Sequence, residues 1–483
     1  MAKRVGLLKK STRPAVWGLT LPDLSSLSIS SVAPLFSMAA AGQLLVQLAG
    51  AEVLWAIFAV AIPFVFSSWI FRLLNHHFPN AGASYHWSRR VLGRRVSQFQ
   101  SWILMMAYFW SIPPIMIPAA EQSLSLLGIA RPGAWDVVGF SLLWISFAAT
   151  VLLLGSRVTA RVTQMFLLAE VLGVTAMMVI GLGHWHPVIM TPADNTAHLS
   201  VRWQHIVIAM VVAATIVDGW EIDSYAAEEA TKPRITPGTG GIIGALMVLA
   251  YYGLSWSVML HNVPLFVLES HRDVLMTWAQ MVIPSVQRWA LIPILASTAG
   301  SLWLTTFILS RALFAMGRDH ILPSVLTRFN RFKAPIWAVI TPSFVAFGIV
   351  CVNLLWTSIT SWFNLVLSSA GFFLVLEFLF DSITASVFLS RQHRMSLPHG
   401  FDGHQHRFLQ IISWITSLWL LTMTGFFLIY GGQVIGKGMD GVVGTLLLAG
   451  LVFVLIQRKH EGLETLFIFE PETVMMKTSS PKQ

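Results

Sequence analysis

Charge is what this chain has least of. Only 11% of its 483 residues are Asp, Glu, Lys or Arg, against about 25% in an average soluble domain. So few charges cannot cover a water-soluble protein of this length, and the mean hydropathy of +0.69 agrees. Cysteine is nearly absent. Cys351 stands alone, which excludes an intrachain disulfide framework and a thiolate metal cluster. No segment between apolar runs is much longer than about 20 residues, too short to fold by itself. What is present is 55% hydrophobic residues with 20 Trp and 20 Met. That composition is that of an integral membrane protein.

A bilayer crossing takes about 20 mostly apolar residues. Twelve such runs can be read, at 24–48, 53–74, 98–127, 134–155, 162–183, 203–228, 240–264, 289–316, 335–356, 361–389, 408–430 and 441–457. With the N-terminus inside, the inner segments hold 26 of the 31 Lys and Arg; Arg131, Arg202, Arg272, Arg288 and Lys437 are left outside. This asymmetry predicts cytoplasmic termini. It also accounts for the net charge of +9 without a nucleic-acid partner. Lys9 and Lys10 precede a polar stretch and a Ser-interrupted run, which predicts a retained N-terminal tail (1–23) rather than a cleaved signal peptide. A second tail (458–483) follows the last run.

Two runs carry interruptions. The first reads Ser25-Ser26-Leu27-Ser28-Ile29-Ser30-Ser31-Val32-Ala33-Pro34. Pro34 has no backbone N–H, so the Ser30 carbonyl loses its helical partner, and in lipid that group must be met by protein or cavity water. A simple proline kink is the plain alternative. The sixth run sets Asp218, Glu221 and Asp223 around Gly219. A carboxylate at the bilayer centre costs at least about 2.5–3.5 kcal/mol and normally faces a wet cavity. Glu221 falls in the first turn after the glycine, where a helix dipole favours an anion; capping alone would also explain it. Interruptions in runs one and six fit two inverted five-helix repeats with a solute site between the broken helices. The candidate binding residues are Ser30, Ser31, Val32, Ala33 and Pro34 with Asp218, Gly219, Trp220 and Glu221. Trp220 flanks the break and could gate it or stack on a cationic group.

Other polar groups read more plainly. Glu121 follows Pro113, Pro114 and Pro118 near the outer end of run three, either a candidate for ion or proton coupling that lines a vestibule or a group reaching the headgroups. Glu377 and Asp381 are four apart and share a helix face; in dry surroundings two such charges would not both persist. His76, His77, His393, His399, His404 and His406 lack metal-ligand spacing and read as solvated loop residues. No nucleophile–base pair, phosphate loop or metal motif is found, so an enzyme is not expected.

Three inter-run segments carry a resemblance. Phe78-Pro79-Asn80-Ala81-Gly82-Ala83-Ser84-Tyr85-His86-Trp87 follows run two. Gly219-Trp220-Glu221 leads to Glu228-Glu229, Lys232-Pro233-Arg234 and Pro237. Ser310-Arg311-Ala312-Leu313-Phe314-Ala315-Met316-Gly317-Arg318-Asp319 and Leu322-Pro323 follow run eight. Together they resemble the amino acid–polyamine–organocation (APC) superfamily. The resemblance implies an all-α LeuT-type bundle of five plus five inverted helices. It would have twelve transmembrane helices, with helices one and six broken. The repeats would be 24–183 and 203–389, with 408–457 appended. It also implies secondary active transport of amino acids, amines or polyamines.

Two positions depart from the family pattern. Its first break is usually of Gly-Ser-Gly type, where this chain has Ser30-Ser31-Val32-Ala33-Pro34. Glu170 stands where several members have a Lys, at the place of a sodium ion in related carriers; a carboxyl there could carry a proton between the two faces. Thr305 and Thr306 match hydroxyl ligands for sodium in related folds, although membrane threonines commonly bond back to their own helix.

The expectation is therefore a plasma-membrane permease for an amino acid or small amine, driven by a proton gradient, with sodium as the alternative and no cofactor. Its partners would be the small-molecule substrate and the lipid bilayer. The rival readings are a polyamine or organic-cation carrier, for which Asp218, Glu221 and Asp223 supply a negative field, and an amino acid exchanger. A membrane-embedded enzyme and a solute sensor stand behind these.

Overall fold

The computed structural model describes residues 18–129, 131–186, 203–356, 359–394, 403–436 and 438–457. Most of both tails, Arg202, His399 and Lys437 lie outside the described residues. The first half holds α1 (Leu21–Val32), α2 (Pro34–Ala49), α3 (Val53–His77), α4 (Ala83–Val91), α5 (Arg94–Leu126), α6 (Ala134–Leu153) and α7 (Ser156–Leu182). The second holds α8 (Trp203–Val217), α9 (Ile222–Tyr225), α10 (Thr236–Asn262), α11 (Leu291–Arg318), α12 (Ile336–Trp356) and α13 (Ile359–Arg394). Then come α14 (Gly403–Val434) and α15 (Gly438–Ile456). Among the described residues there are no strands, only isolated bridges at Leu19–Ala230 and Phe329–Pro335.

Nine helical stretches among the described residues are long and apolar enough to cross a membrane, with 21–77 taken as one; α8 and residues 336–352 are shorter apolar helices. Each of the twelve apolar runs falls on a helix or a helix pair. The sixth is cut short: α8 ends at Val217 rather than continuing to residue 228. Large apolar side chains point outward along several helices, Leu448, Leu451 and Leu455 of α15 among them, a surface suited to lipid. Bulky aromatics fill the interior instead, including Trp87, Tyr108, Trp220, Tyr225, Tyr252, Trp256 and Trp303. His404 is exposed as expected, but His406 is buried against the bundle.

The local chemistry of α1 explains its bounds. Thr20 donates from both its backbone N–H (2.8 Å) and its hydroxyl (2.7 Å) to Asp23 Oδ2, and Pro22 occupies the first turn, where no N–H is needed. Gln164 of α7 ties down the other Asp23 oxygen at 2.9 Å. The helix stops at Ala33, whose φ of 50° and ψ of 66° are left-handed, a conformation costly for a residue with a Cβ. Pro34 then restarts the chain as the first residue of α2. α1 is seated deeply because its neighbours present glycine. A Cβ on Gly300 of α11 would come within 2.6 Å of Ser30 Oγ, and one on Gly244 of α10 within 2.6 Å of Ser28 Cβ, the close approach that small residues permit.

Candidate functional site

The two interruptions meet. Gly219, between α8 and α9, has a φ of +111°, and a Cβ there would lie 2.8 Å from the Ser31 carbonyl carbon and 3.0 Å from Ser31 Oγ. Only glycine satisfies both the backbone angle and the approach. The break formed by Ser30, Ser31, Val32, Ala33 and Pro34 and the one formed by Asp218, Gly219, Trp220 and Glu221 thus meet at the Ser31–Gly219 contact. Around this junction the hydroxyls of Ser28, Ser30 and Ser31, Asp218 Oδ1 and Trp220 Nε1 are buried without a hydrogen-bond partner among the described residues. Each such group costs roughly 1–3 kcal/mol, so the arrangement favours a polar guest.

The acids differ in what they do. Glu221 accepts from the Gly219 N–H (2.9 Å) and from the Tyr108 hydroxyl of α5 (2.8 Å), so its carboxyl braces the break itself. Asp223 accepts from the N–H groups of Gly238 (2.5 Å) and Gly241 (2.6 Å). It therefore caps the start of α10 rather than adding a field for a cationic solute. Trp220 is also committed: its ring stacks on Phe378 at 5.6 Å and meets the edge of Phe71 at 5.2 Å. That packing replaces the open stacking face expected from sequence.

Glu170 of α7 is buried and linked to the first break. Ser297 of α11 donates to Glu170 Oε1 at 2.5 Å and accepts from the Phe36 N–H at 3.0 Å. The carboxyl thus reaches α2 through one hydroxyl. The Val32 carbonyl, freed by the break, accepts from Ser37 Oγ at 2.8 Å. Thr305 and Thr306 lie about two turns further along α11. Thr306 bonds back to the Leu302 carbonyl at 2.8 Å, as membrane threonines commonly do. Glu121 pairs with Arg272 at 3.2 Å where both side chains are about a third exposed.

A second polar chain runs behind the break. Tyr225 Oη of α9 lies 2.8 Å from Glu377 Oε1 of α13 and 3.2 Å from Ser84 Oγ. Ser84 lies 2.8 Å from Asp381 Oδ2, and Gln100 of α5 donates to Asp381 Oδ1 at 2.8 Å. Tyr108, Tyr225, Ser84, Gln100 and Ser297 were not legible as site residues, because their partners are more than 100 positions away in sequence. One signal was available: Ser84 sits inside the first of the three family motifs.

Those three motifs assemble on one face. Arg318 forms two hydrogen bonds with the Glu228 carboxylate, at 2.9 and 2.8 Å, and that carboxylate accepts from the Ala81 N–H. Buried Arg311 pairs with Glu229 at 3.0 Å. Arg89 pairs with Asp319 at 2.9 Å, and the Tyr85 hydroxyl donates to the same carboxylate. Burial, then the Asp319 charge, pushes the Tyr85 phenol well above its usual range, so it remains a donor. Leu19, just before α1, exchanges backbone hydrogen bonds with Glu229 and Thr231. Among the described residues no group of His, Cys, Asp and Glu is suited to a metal ion.

Residues 19–456 match the amino acid permease family. The branched-chain amino acid permease BcaP of Lactococcus lactis subsp. cremoris is 23% identical over 351 residues, which is 68% of this chain and 74% of that protein.

Proposed function

The chain belongs to the amino acid permease family, and we propose that it moves a neutral, branched-chain type of amino acid across the plasma membrane together with protons. That it is a multi-pass membrane transporter of amino acids and not an enzyme follows from the family. The family resemblance read from the three motifs is borne out. In this reading the bundle is LeuT-type, with twelve spans, inverted repeats at 24–183 and 203–389, and 408–457 appended. Both termini, and with them the motif face, are cytoplasmic.

The observation that carries the site is the packing of Gly219 on Ser31. Two discontinuous helices end against each other, and the unpartnered serine hydroxyls and Asp218 oxygen between them suit the ammonium and carboxylate of an amino acid. Ser30, Ser31 and Asp218 supply the polar contacts, and Gly219 the close approach of the two breaks. Val32, Ala33 and Pro34 form the apolar shoulder of the break, which favours an aliphatic side chain. The relative's printed substrate supports the same class. Capping by Asp223 and hydrogen bonding of Glu221 leave Asp218 as the one carboxyl of the break with an unpartnered oxygen, a single acid rather than an acidic cluster, which weighs against a polycation.

Glu170 is the proposed proton carrier. Its link through Ser297 to the Phe36 amide makes its protonation sensitive to the position of α2, so proton and solute binding favour one state and raise each other's affinity. The test is counterflow of labelled leucine, isoleucine and valine in liposomes against a competitor panel. Competition by neutral aliphatic amino acids is expected. Strong inhibition by di- and polyamines with none by neutral amino acids overturns the substrate reading. Glu170→Gln is expected to weaken accumulation driven by a pH gradient and to spare exchange; unchanged uphill accumulation removes Glu170 from the mechanism.

A further inference from the structure

We infer that the Glu377–Asp381 pair of α13 is a second proton site, loaded in this conformation and emptied when the break in span six moves. This rests on the transport reading above but not on the role of Glu170.

The argument begins with a count of hydrogens. Three short oxygen–oxygen contacts run in series: Glu377 Oε1 to Tyr225 Oη, Tyr225 Oη to Ser84 Oγ, and Ser84 Oγ to Asp381 Oδ2, at 2.8, 3.2 and 2.8 Å. Tyr225 and Ser84 bring one hydroxyl hydrogen each, two for three contacts. The third must come from a carboxyl. Asp381 has a donor for both oxygens, since Gln100 reaches Oδ1. Glu377 does not: its Oε2 is buried with no partner, as is Gln100 Oε1. The missing hydrogen is therefore best seated on Glu377.

Electrostatics gives the same answer. Glu377 and Asp381 are each no more than 1% exposed and share a helix face one turn apart. The titratable groups facing them are Tyr225 of α9, Tyr108 of α5, and Glu221 and Asp218 of the break. α4 contributes only the Ser84 hydroxyl, and α3 packs Phe71 and Phe64 against Phe378. On the side of α14, Ser417 bonds to Ser382. Among the described residues no Lys, Arg or His pairs with either acid, so two bare charges would stand unopposed in a dry interior.

What makes the proton mobile is Tyr225. It sits on a four-residue helix attached to the break. Movement of α9 relative to α13 parts Tyr225 from Glu377, removes the contact that requires the third hydrogen and admits water, which stabilises the ion.

The test reads stoichiometry. Purified protein in liposomes with the membrane potential clamped at zero is preloaded with labelled amino acid, and the accumulation ratio at zero net flux is found at several pH gradients. Each coupled proton contributes about tenfold in that ratio per pH unit. The wild type is expected to show about two protons by this measure, and Glu377→Gln and Asp381→Asn about one each, with counterflow retained. Unchanged slopes in Glu377→Gln, in Asp381→Asn and in the double variant overturn the inference. Should those variants fail to fold, Tyr225→Phe, which removes the bridging hydroxyl, decides: a slope lower than wild type by about one proton supports the site, and an unchanged slope overturns it. A wild type that exchanges no amino acid sinks the transport reading instead.

Discussion

The break region and the motif face hold similar numbers of acids and treat them in opposite ways. On the motif face Glu228, Glu229 and Asp319 each meet an arginine: Arg318, Arg311 and Arg89. Behind the break Glu221, Glu377 and Asp381 meet only hydroxyl and amide groups, and Asp218 keeps an unpartnered oxygen. A fixed countercharge makes a fastener, because nothing need enter to complete it. Neutral donors leave part of the charge to be balanced by something that comes and goes, a proton or the ammonium of a solute. The three motifs that resemble the family thus lie on the self-sufficient face, while the region with unmet needs is the one proposed to hold the cargo.

The sharpest way to break this comparison is at the junction. Gly219→Ala forces a Cβ to within 3 Å of Ser31 on a backbone at φ +111°, a conformation costing roughly 1–3 kcal/mol for such a residue. Uptake is expected to fall more than about tenfold with the protein still inserted in the membrane. Wild-type counterflow would show that the breaks need not touch.

The next effect concerns the fasteners. Arg311 is 2% exposed, whereas Arg318 and Glu228 are each about a third exposed. Glu229→Gln leaves a buried guanidinium without its anion, where loss of a partner costs about 3–5 kcal/mol when burial is complete. With Glu229 itself partly exposed, about 1–3 kcal/mol is expected. Glu228→Gln breaks a screened pair and should cost no more than about 1 kcal/mol. Thermal melts of the two purified variants check the order; the reverse order would mean that the latch is organised around Arg318.

Both breaks were legible in sequence because each has a local chemical cause: a proline after a serine run, and a glycine among carboxylates. The twelve apolar runs were legible for the same reason, since hydropathy acts residue by residue. Pairings were not. Nothing near Glu170 in sequence points to Ser297, and nothing near Glu377 points to Tyr225, because those contacts exist only once α7 meets α11 and α9 meets α13. Asp223 stands beside Asp218 and Glu221 in sequence and so reads as part of an acidic field, but its partners, Gly238 and Gly241, lie in the next helix. Trp220 looked available because the aromatic neighbours that occupy its ring, Phe71 and Phe378, come from α3 and α13.

A subtler probe is Ser31→Ala. The hydroxyl makes no hydrogen bond in the fold, so its removal should move stability by less than about 0.5 kcal/mol. If it serves the solute, KM rises several-fold and the maximal rate holds, the signature of lost uniform binding. An unchanged KM would place the solute elsewhere along the break.

The smallest effect should come from Thr306→Val. In a sodium-coupled carrier this hydroxyl would be a ligand, and its loss would abolish a sodium-dependent component of uptake. Here Thr306 Oγ1 is satisfied by the Leu302 carbonyl one turn away, and the carboxyl bonded to α11 is Glu170, reached through Ser297. The valine variant keeps the shape and loses only a local bond, worth about 1 kcal/mol or less. Uptake measured with sodium, and with sodium replaced by choline, should be the same in wild type and variant. A sodium requirement in the wild type that the variant loses would move the coupling ion from the carboxyls to α11, and the contrast between paired and unpaired acids would then no longer explain what drives transport.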